Sequence, residues 1–277
     1  MIELVIDQRR KDLGGFEVGR VLPFHAHRMV GPFVFFDHMG PAQFKAGFPR
    51  TVDVRPHPHI GLSTVSYLFE GAMTHRDSVG TTEVIRPGEV NWMTAGRGIV
   101  HSERTELPLR RSGQAMHGMQ AWVALPVENE EDEPGFFHHG PDDLPTYEGG
   151  GLWARLIAGT AFGATAQLPA EYPERAAYVA QGIVEVDGQQ IQQGQMAVFA
   201  PGQAVPIKAV TNAIVMLLGG EPLGPRFIEW NFVASSKDRI EQAKADWRAG
   251  RMKLPDADDQ EFIPLPPDPP GPAPAMS

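Results

Sequence analysis

The sequence predicts an all-β protein in which one strand–turn–strand unit is used twice. Three observations carry this. Thirty Gly and 26 Pro among 277 residues suit many short strands and turns better than a helical bundle. Runs of β-formers between about 60 and 125, and again between about 150 and 220, end on turn residues at the regular spacing of a barrel or sandwich. The two runs also share a pattern of turns. Ile85-Arg86-Pro87-Gly88 with Gly96 matches Ile191-Gln192-Gln193-Gly194 with Gly202, and Tyr67-Leu68-Phe69-Glu70-Gly71 matches Tyr178-Val179-Ala180-Gln181-Gly182.

Composition sets the outer limits. Apolar residues make up 42% of the chain, enough for sizeable cores, and the length suits one large domain or two smaller ones. The formal net charge is −10, and Arg9-Arg10-Lys11 and Arg110-Arg111 are isolated, so no basic stripe meets a nucleic acid directly. The absence of cysteine excludes disulfides, thiolate zinc sites and cysteine nucleophiles. Met1-Ile2-Glu3-Leu4-Val5-Ile6-Asp7 carries acids where a signal peptide needs basic residues, and no apolar run approaches a membrane span. A cytoplasmic protein is expected, or a nuclear one if the source is eukaryotic, with no membrane contact.

In chain order, residues 1–20 read as a short strand and a turn. Phe33-Val34-Phe35-Phe36, bounded by Gly31-Pro32 and Gly40-Pro41, reads as a buried strand. Leu62–Phe69, Thr82–Ile85 and Met119–Leu125 each end at a Gly or Pro turn. The acidic run Glu128–Glu133 before Pro134-Gly135 reads as a solvated connection that closes a first unit, 1–133. A second unit covers 134–254. In it, Asp187-Gly188 between Ile183–Val186 and Ile191 marks a hairpin with a type I′ turn. Ser235-Ser236-Lys237-Asp238 can cap a helix that buries Ile240, Ala243 and Trp247 and stops at Gly250. The Pro- and Asp-rich tail 255–277 reads as disordered or loosely wrapped.

The first unit carries chemistry that the second lacks. His57-x-His59 and His101-x-Glu103 are pairs of potential ligands two residues apart, and on a strand such residues share a face. If the two strands line one barrel, four ligands converge. The repeat shifts place His101 and Glu103 on Ile207 and Ala209, and His57 and His59 on Leu168 and Ala170, all apolar. Three imidazoles and a carboxylate suit Fe(II), Mn(II), Ni(II), Co(II), Cu(II) or Zn(II) without choosing among them, and disfavour Ca(II). Such a metal lowers the pKa of a bound enol or water, and Glu103 can serve as general base as well as ligand. His25-x-His27 is strand-spaced but lacks an acid partner. His38 and His75 are candidates for orienting ligands or for ordinary buried polar residues. Adjacent His138 and His139 point to opposite faces. Gln120 and Trp122 either line the cavity or alternate in an ordinary strand.

His57-Pro58-His59-Ile60-Gly61, Leu68-Phe69-Glu70-Gly71, Trp92–Glu103, Gln120–Pro126 and Gly220-Glu221-Pro222-Leu223-Gly224 together closely resemble the pirin family of bicupins, over about residues 10–252. The resemblance implies two tandem cupin barrels with a short C-terminal helix, and one metal, in the N-terminal barrel only, held by His57, His59, His101 and Glu103. It departs at Ser63, where many pirins have Glu, which implies a cavity of different polarity. It implies one of two roles. The first is a quercetin 2,3-dioxygenase that opens a flavonol or related enol with dioxygen and releases carbon monoxide, Glu103 taking the hydroxyl proton. The alternative is a metal-dependent regulator that binds transcription factors or metabolic enzymes without essential turnover. Tandem barrels that bury one another's faces are compatible with a monomer.

Overall fold

A computed structural model of the chain describes residues 1–13, 15–159, 167–168 and 172–267. Its first half forms β1 (Ile2–Asp7), β2 (Arg9–Asp12), β3 (Glu17–Leu22), β4 (Phe33–Phe44), β5 (Val54–His59) and β6 (Leu62–Glu70). Then follow β7 (Met73–Asp77), β8 (Thr82–Ile85), β9 (Val90–Thr94), β10 (Ile99–Arg104), α1 (Leu107–Ser112), β11 (Gln114–Ala124) and β12 (Gly135–His139). The second half forms β13 (Thr146–Gly149), β14 (Leu152–Arg155), β15 (Gln167–Leu168), β16 (Glu174–Gln181), β17 (Ile183–Val186) and β18 (Gln189–Gln192). It closes with β19 (Gln195–Phe199), β20 (Val205–Pro206), β21 (Lys208–Ala209), β22 (Ile214–Gly220), β23 (Phe227–Glu229), β24 (Phe232–Ala234) and α2 (Lys237–Arg248).

Two antiparallel sheets make the first barrel: β5-β10-β7-β8 and the longer β12-β9-β6-β11-β4-β3-β2. The second barrel sets β1-β19-β16-β22 against β18-β17-β21 and the β15-β20 pair. The sheet pairings repeat as the turn pattern predicts. Tyr67 pairs with Val90, and Tyr178 pairs with Met196. Those are the same two shifts that the Gly71/Gly182 and Gly88/Gly194 matches give. The ligand-bearing pair repeats less faithfully. His57 faces His101, whereas Leu168 faces Val205, two residues from the position that equal shifts would give. A two-residue slip preserves which face each side chain takes. Ile207 packs against the second barrel's apolar core, while Ala209 is exposed. Ala170 and the side chain of Leu168 lie outside the described residues.

Sheet membership does not follow the expected division at 133/134. β1 leaves the first unit and pairs with β19 of the second barrel, and β12 returns to pair with β9 of the first. The start of the chain, expected as one strand and a turn, forms three strands. The Asp187-Gly188 hairpin forms as expected, with φ of 50° and 76°. So does α2, which buries Ile240, Ala243 and Trp247 against β24 and the first barrel's Ile60 and Val100. The short helix α1 was not anticipated. Residues 255–267 correct the reading of a loose tail. Asp258 pairs with Arg104, and the Ile263 N–H donates to the Pro56 carbonyl, so this stretch is fastened to the first barrel. Residues 268–277 lie outside the described residues.

The barrels meet through an apolar layer. Ile6, Leu22, Phe36, Met119 and Ala121 pack on Tyr178, Met196 and Leu218. One polar chain crosses this layer. His117 Nε2 lies 2.9 Å from His38 Nε2, the Tyr178 hydroxyl lies 2.8 Å from His38 Nδ1, and that hydroxyl lies 3.0 Å from Gln8 Oε1. Burial, with His117 beside it, pushes His38 down to about 4, and burial lowers His117 against the pull of Glu70. The native state therefore binds fewer protons here than the unfolded chain between about pH 4 and 6.5. Stability is expected to fall as pH drops through that window. Denaturant midpoints of the metal-free protein at pH 7 and pH 4.5 measure the slope. His38→Gln is expected to make it shallower, and an unchanged slope contradicts the assignment.

Candidate metal centre

The centre is built on two adjacent strands. β5 is an edge strand, which tolerates Pro56 and Pro58 because their missing N–H groups can face away from the ladder. Alternation puts His57 and His59 on its inner face, and His101 and Glu103 on the inner face of β10. His57 pairs directly with His101, and one extra β5 residue is accommodated between that pair and the next, Glu103 with Val54. Such a bulge re-aims the side chains beside it. Gly61 turns the chain from β5 into β6 at φ 65°, and a Cβ there would strike the Val233 carbonyl. Glycine thus lets β24 lie against the ligand strand, where Phe232 bridges Ile60.

His57, His59 and His101 each offer a ring nitrogen within 4.8 Å of the others, and all three are buried. Their outer nitrogens are engaged. His57 Nδ1 lies 2.9 Å from the Arg55 carbonyl and His59 Nδ1 lies 3.0 Å from the Asn231 carbonyl. A carbonyl only accepts, so each Nδ1 donates and each Nε2 keeps its lone pair. Burial lowers the pKa of all three rings, which keeps them neutral and able to bind a cation. His59 Nε2, His101 Nε2 and Glu103 Oε2 are buried with no hydrogen-bond partner. Each such orphan costs roughly 1–3 kcal/mol, and a cation held by the three imidazoles would satisfy the two nitrogens. The residues present therefore fit a transition metal.

Glu103 stands outside the group of three imidazoles. Its Oε1 accepts from Gln120 Nε2 at 2.9 Å and lies 3.8 Å from His101 Nδ1. Gln120 and Trp122 do face the centre: the Trp122 ring meets His59 edge-on at 4.9 Å. His75 lies behind His101, with Nδ1 to Nδ1 at 3.4 Å, and its Nε2 is 2.9 Å from Asp77 Oδ2. Burial alone would raise the Asp77 carboxyl. Hydrogen bonds from His75 and the Thr81 backbone outweigh it and hold Asp77 below the usual range. Asp77 was missed, although His75-x-Asp77 has the same two-residue spacing as the ligand pairs. Asn231, supplied by the turn between β23 and β24, left no signal in the sequence.

The remaining candidates lie elsewhere. His25 is exposed against Phe24, and His38 sits between the barrels. His138 Nδ1 bonds Asn91 Oδ1 at 2.8 Å, and His139 is exposed. Ser63 is buried with its Oγ 3.0 Å from Thr94 Oγ1, on the opposite face of β6 from Thr64 and Ser66. Its expected effect on the cavity is therefore corrected: Ser63 does not reach it. Thr64, Ser66, Asn91, His75, Glu103 and Phe136 are among the cavity's lining, and its volume of about 10 Å3 holds roughly one water molecule. Phe136, on β12, stacks on His75 at 4.4 Å and 21° and forms part of the cavity wall.

Comparison with known proteins agrees with this architecture. The Pirin family model matches residues 15–123, and the Pirin C-terminal cupin domain matches 160–253. A pirin-like protein of Caulobacter vibrioides is 69% identical, over 96% of this chain and 100% of that one. The crystal structure of a quercetin 2,3-dioxygenase from Acinetobacter baumannii superposes with TM-score 0.84 at 33% identity, covering 96% of each chain. The bacterial pirin YhhW of Escherichia coli, in complex with nickel(II), shares the fold at TM-score 0.58 and 22% identity, over 80% of this chain and 100% of that one. The chain belongs to the Pirin family and is a mostly β, two-cupin protein with a C-terminal helix. Among the described residues no helix is long and apolar enough to cross a membrane.

Metal should stabilise the fold by an amount that grows with the logarithm of its concentration over Kd. At one hundred times Kd, the gain is about 2.7 kcal/mol. Thermal unfolding with increasing nickel(II) is expected to show a rising Tm in the wild type. In His101→Leu it is expected to stay flat. An equal shift in the variant would place the binding elsewhere.

Proposed function

We propose that this pirin is a metal-dependent dioxygenase acting on a flavonol such as quercetin or on a related enol. One observation carries the reading: three neutral imidazoles offer ring nitrogens within 4.8 Å of one another, and one of them, His101, lines a small cavity beside Glu103, whose Oε2 has no hydrogen-bond partner. In this reading His57, His59, His101 and Glu103 hold one divalent metal, Fe(II) foremost. When bound, the metal supplies a Lewis acid that favours the enolate and a centre at which dioxygen can react. Glu103 Oε2 accepts the substrate's hydroxyl proton. Gln120, donating to Glu103 Oε1 and, at 3.3 Å, to Ser66 Oγ, holds the carboxylate in place. Thr64, Ser66 and Asn91 offer hydrogen bonds to substrate oxygens. The likeness to the Acinetobacter dioxygenase supports the same reaction class.

The closed cavity holds about one water, so a three-ring flavonol enters only if Phe136 and the edge strand β12 move aside. The same closure favours the second reading, a metal-dependent regulator without essential turnover. The 69% identical relative, named only as pirin-like, leaves that reading open.

Quercetin consumption in air by Fe(II)-loaded protein, with carbon monoxide measured, tests the proposal. Turnover is expected in the wild type, lost in His101→Ala, and reduced by at least about 100-fold in Glu103→Gln, in line with loss of a general base. Phe136→Ala is expected to raise kcat/KM. Bound metal without turnover in either the wild type or Phe136→Ala would favour the regulator.

A further inference from the structure

The stretch after α2 lies on the outer face of the two strands whose inner face carries the ligands. From Pro255 on, it lies beyond the last residue matched by the family's C-terminal domain. On β10, Ser102 and Arg104 alternate with His101 and Glu103. Ser102 Oγ donates to Asp258 Oδ2 at 2.7 Å. Arg104 makes a bidentate pair with Asp258, Nε to Oδ2 at 2.7 Å and Nη2 to Oδ1 at 2.9 Å, and adds Glu261 Oε1 at 2.9 Å. Arg104 and Asp258 are 5% and 9% exposed, so this is a buried, charge-assisted pair and not a surface one. On β5, the Pro56 carbonyl accepts the Ile263 N–H at 2.8 Å. Ile263 is itself tied back to α2, since Trp247 Nε1 donates to its carbonyl at 3.1 Å. Phe262 meets the Trp247 ring edge-on, and Leu265 packs with Ile60, Val100 and Trp247.

These anchors fall at the bulge. The extra β5 residue lies between Val54 and His57, opposite Ser102. Pro56 there has no N–H, so the bulge has a weakened ladder. The strap grips both of its sides, Pro56 on β5 and Ser102 and Arg104 on β10. The bulge also sets the relative aim of His57, His101 and Glu103.

We propose that Pro255–Leu265 is a strap whose docking is coupled to metal binding, with Asp258 as a positioning residue that acts through β10. This rests on the metal-centre reading above. Seating the strap narrows the geometries that β5 and β10 sample at the bulge, so the ligands meet a metal at lower cost. By linkage, metal holds the strap down by the same factor. Without it, Arg104 loses its buried partner and the outer face of the ligand strands opens to water.

The test uses nickel(II) as a redox-silent probe on the full chain. Its Kd is measured by chelator competition for the wild type, Asp258→Asn, Arg104→Lys and a chain ending at Leu254. Hydrogen exchange at the Ile263 amide is measured with and without nickel in the wild type. The expected result is a Kd weakened about tenfold or more in Asp258→Asn, of the order seen for groups that hold metal ligands in place. Slower exchange at Ile263 is expected on loading. A merely structural strap would lower Tm and leave the nickel Kd unchanged. If the shortened chain fails to fold, Asp258→Asn and the exchange measurement on the intact chain still decide. An unchanged Kd in Asp258→Asn, or Ile263 exchange indifferent to nickel, overturns the coupling while sparing the metal centre. A wild type that binds no nickel overturns both.

Discussion

The direct pairing of His57 with His101 across β5 and β10 is the contact on which the rest of the site depends. It sets two imidazoles side by side, ring centroids 4.4 Å apart and tilted by 54°, and strand alternation then brings His59 and Glu103 to the same side. Everything around it serves to hold that geometry. Backbone carbonyls of Arg55 and Asn231 choose the tautomer of two rings, and burial keeps all three uncharged. The arrangement leaves nitrogens of His59 and His101 buried without a hydrogen-bond partner. A protein tolerates that where something binds.

The second barrel shows the same frame without the chemistry. Several of its strand pairings repeat those of the first, but its interior is filled by Val184, Val186, Ile191, Phe199 and Val205. One copy gains from packing, the other from function. The two copies are also interlocked. β1 serves the second barrel, β12 serves the first, and β24 with the following helix lies against the ligand strands. A ligand's orienting carbonyl, Asn231, thus comes from a segment 172 residues away in sequence. The candidate metal centre is a property of the whole chain and not of the first barrel alone.

Much of this was legible in the sequence because local periodicity encodes it. The meeting of His57, His59 and His101 follows from two-residue spacing on strands, the Asp187-Gly188 hairpin from turn chemistry, and α2 from the spacing of Ile240, Ala243 and Trp247. What escaped were choices of distant partner. Nothing local in Ile2–Asp7 says that its ladder partner is Gln195–Phe199. Nothing in Asp258, set in a Pro- and Asp-rich stretch that reads as disordered, announces a buried arginine 154 residues away. Ser63 shows the opposite error. A position singled out by family pattern turned out to face away from the cavity. His75-x-Asp77 was readable by the rule that found the ligands, but lacked a second pair to give it weight.

The account stands or falls on which atoms surround the metal. X-ray absorption at the nickel edge of the loaded protein measures this directly. Three imidazole nitrogens with one or more oxygens around the nickel are expected, with one imidazole lost in each of His57→Ala, His59→Ala and His101→Ala. Fewer than three imidazoles around the nickel, or a set unchanged in those variants, would contradict this.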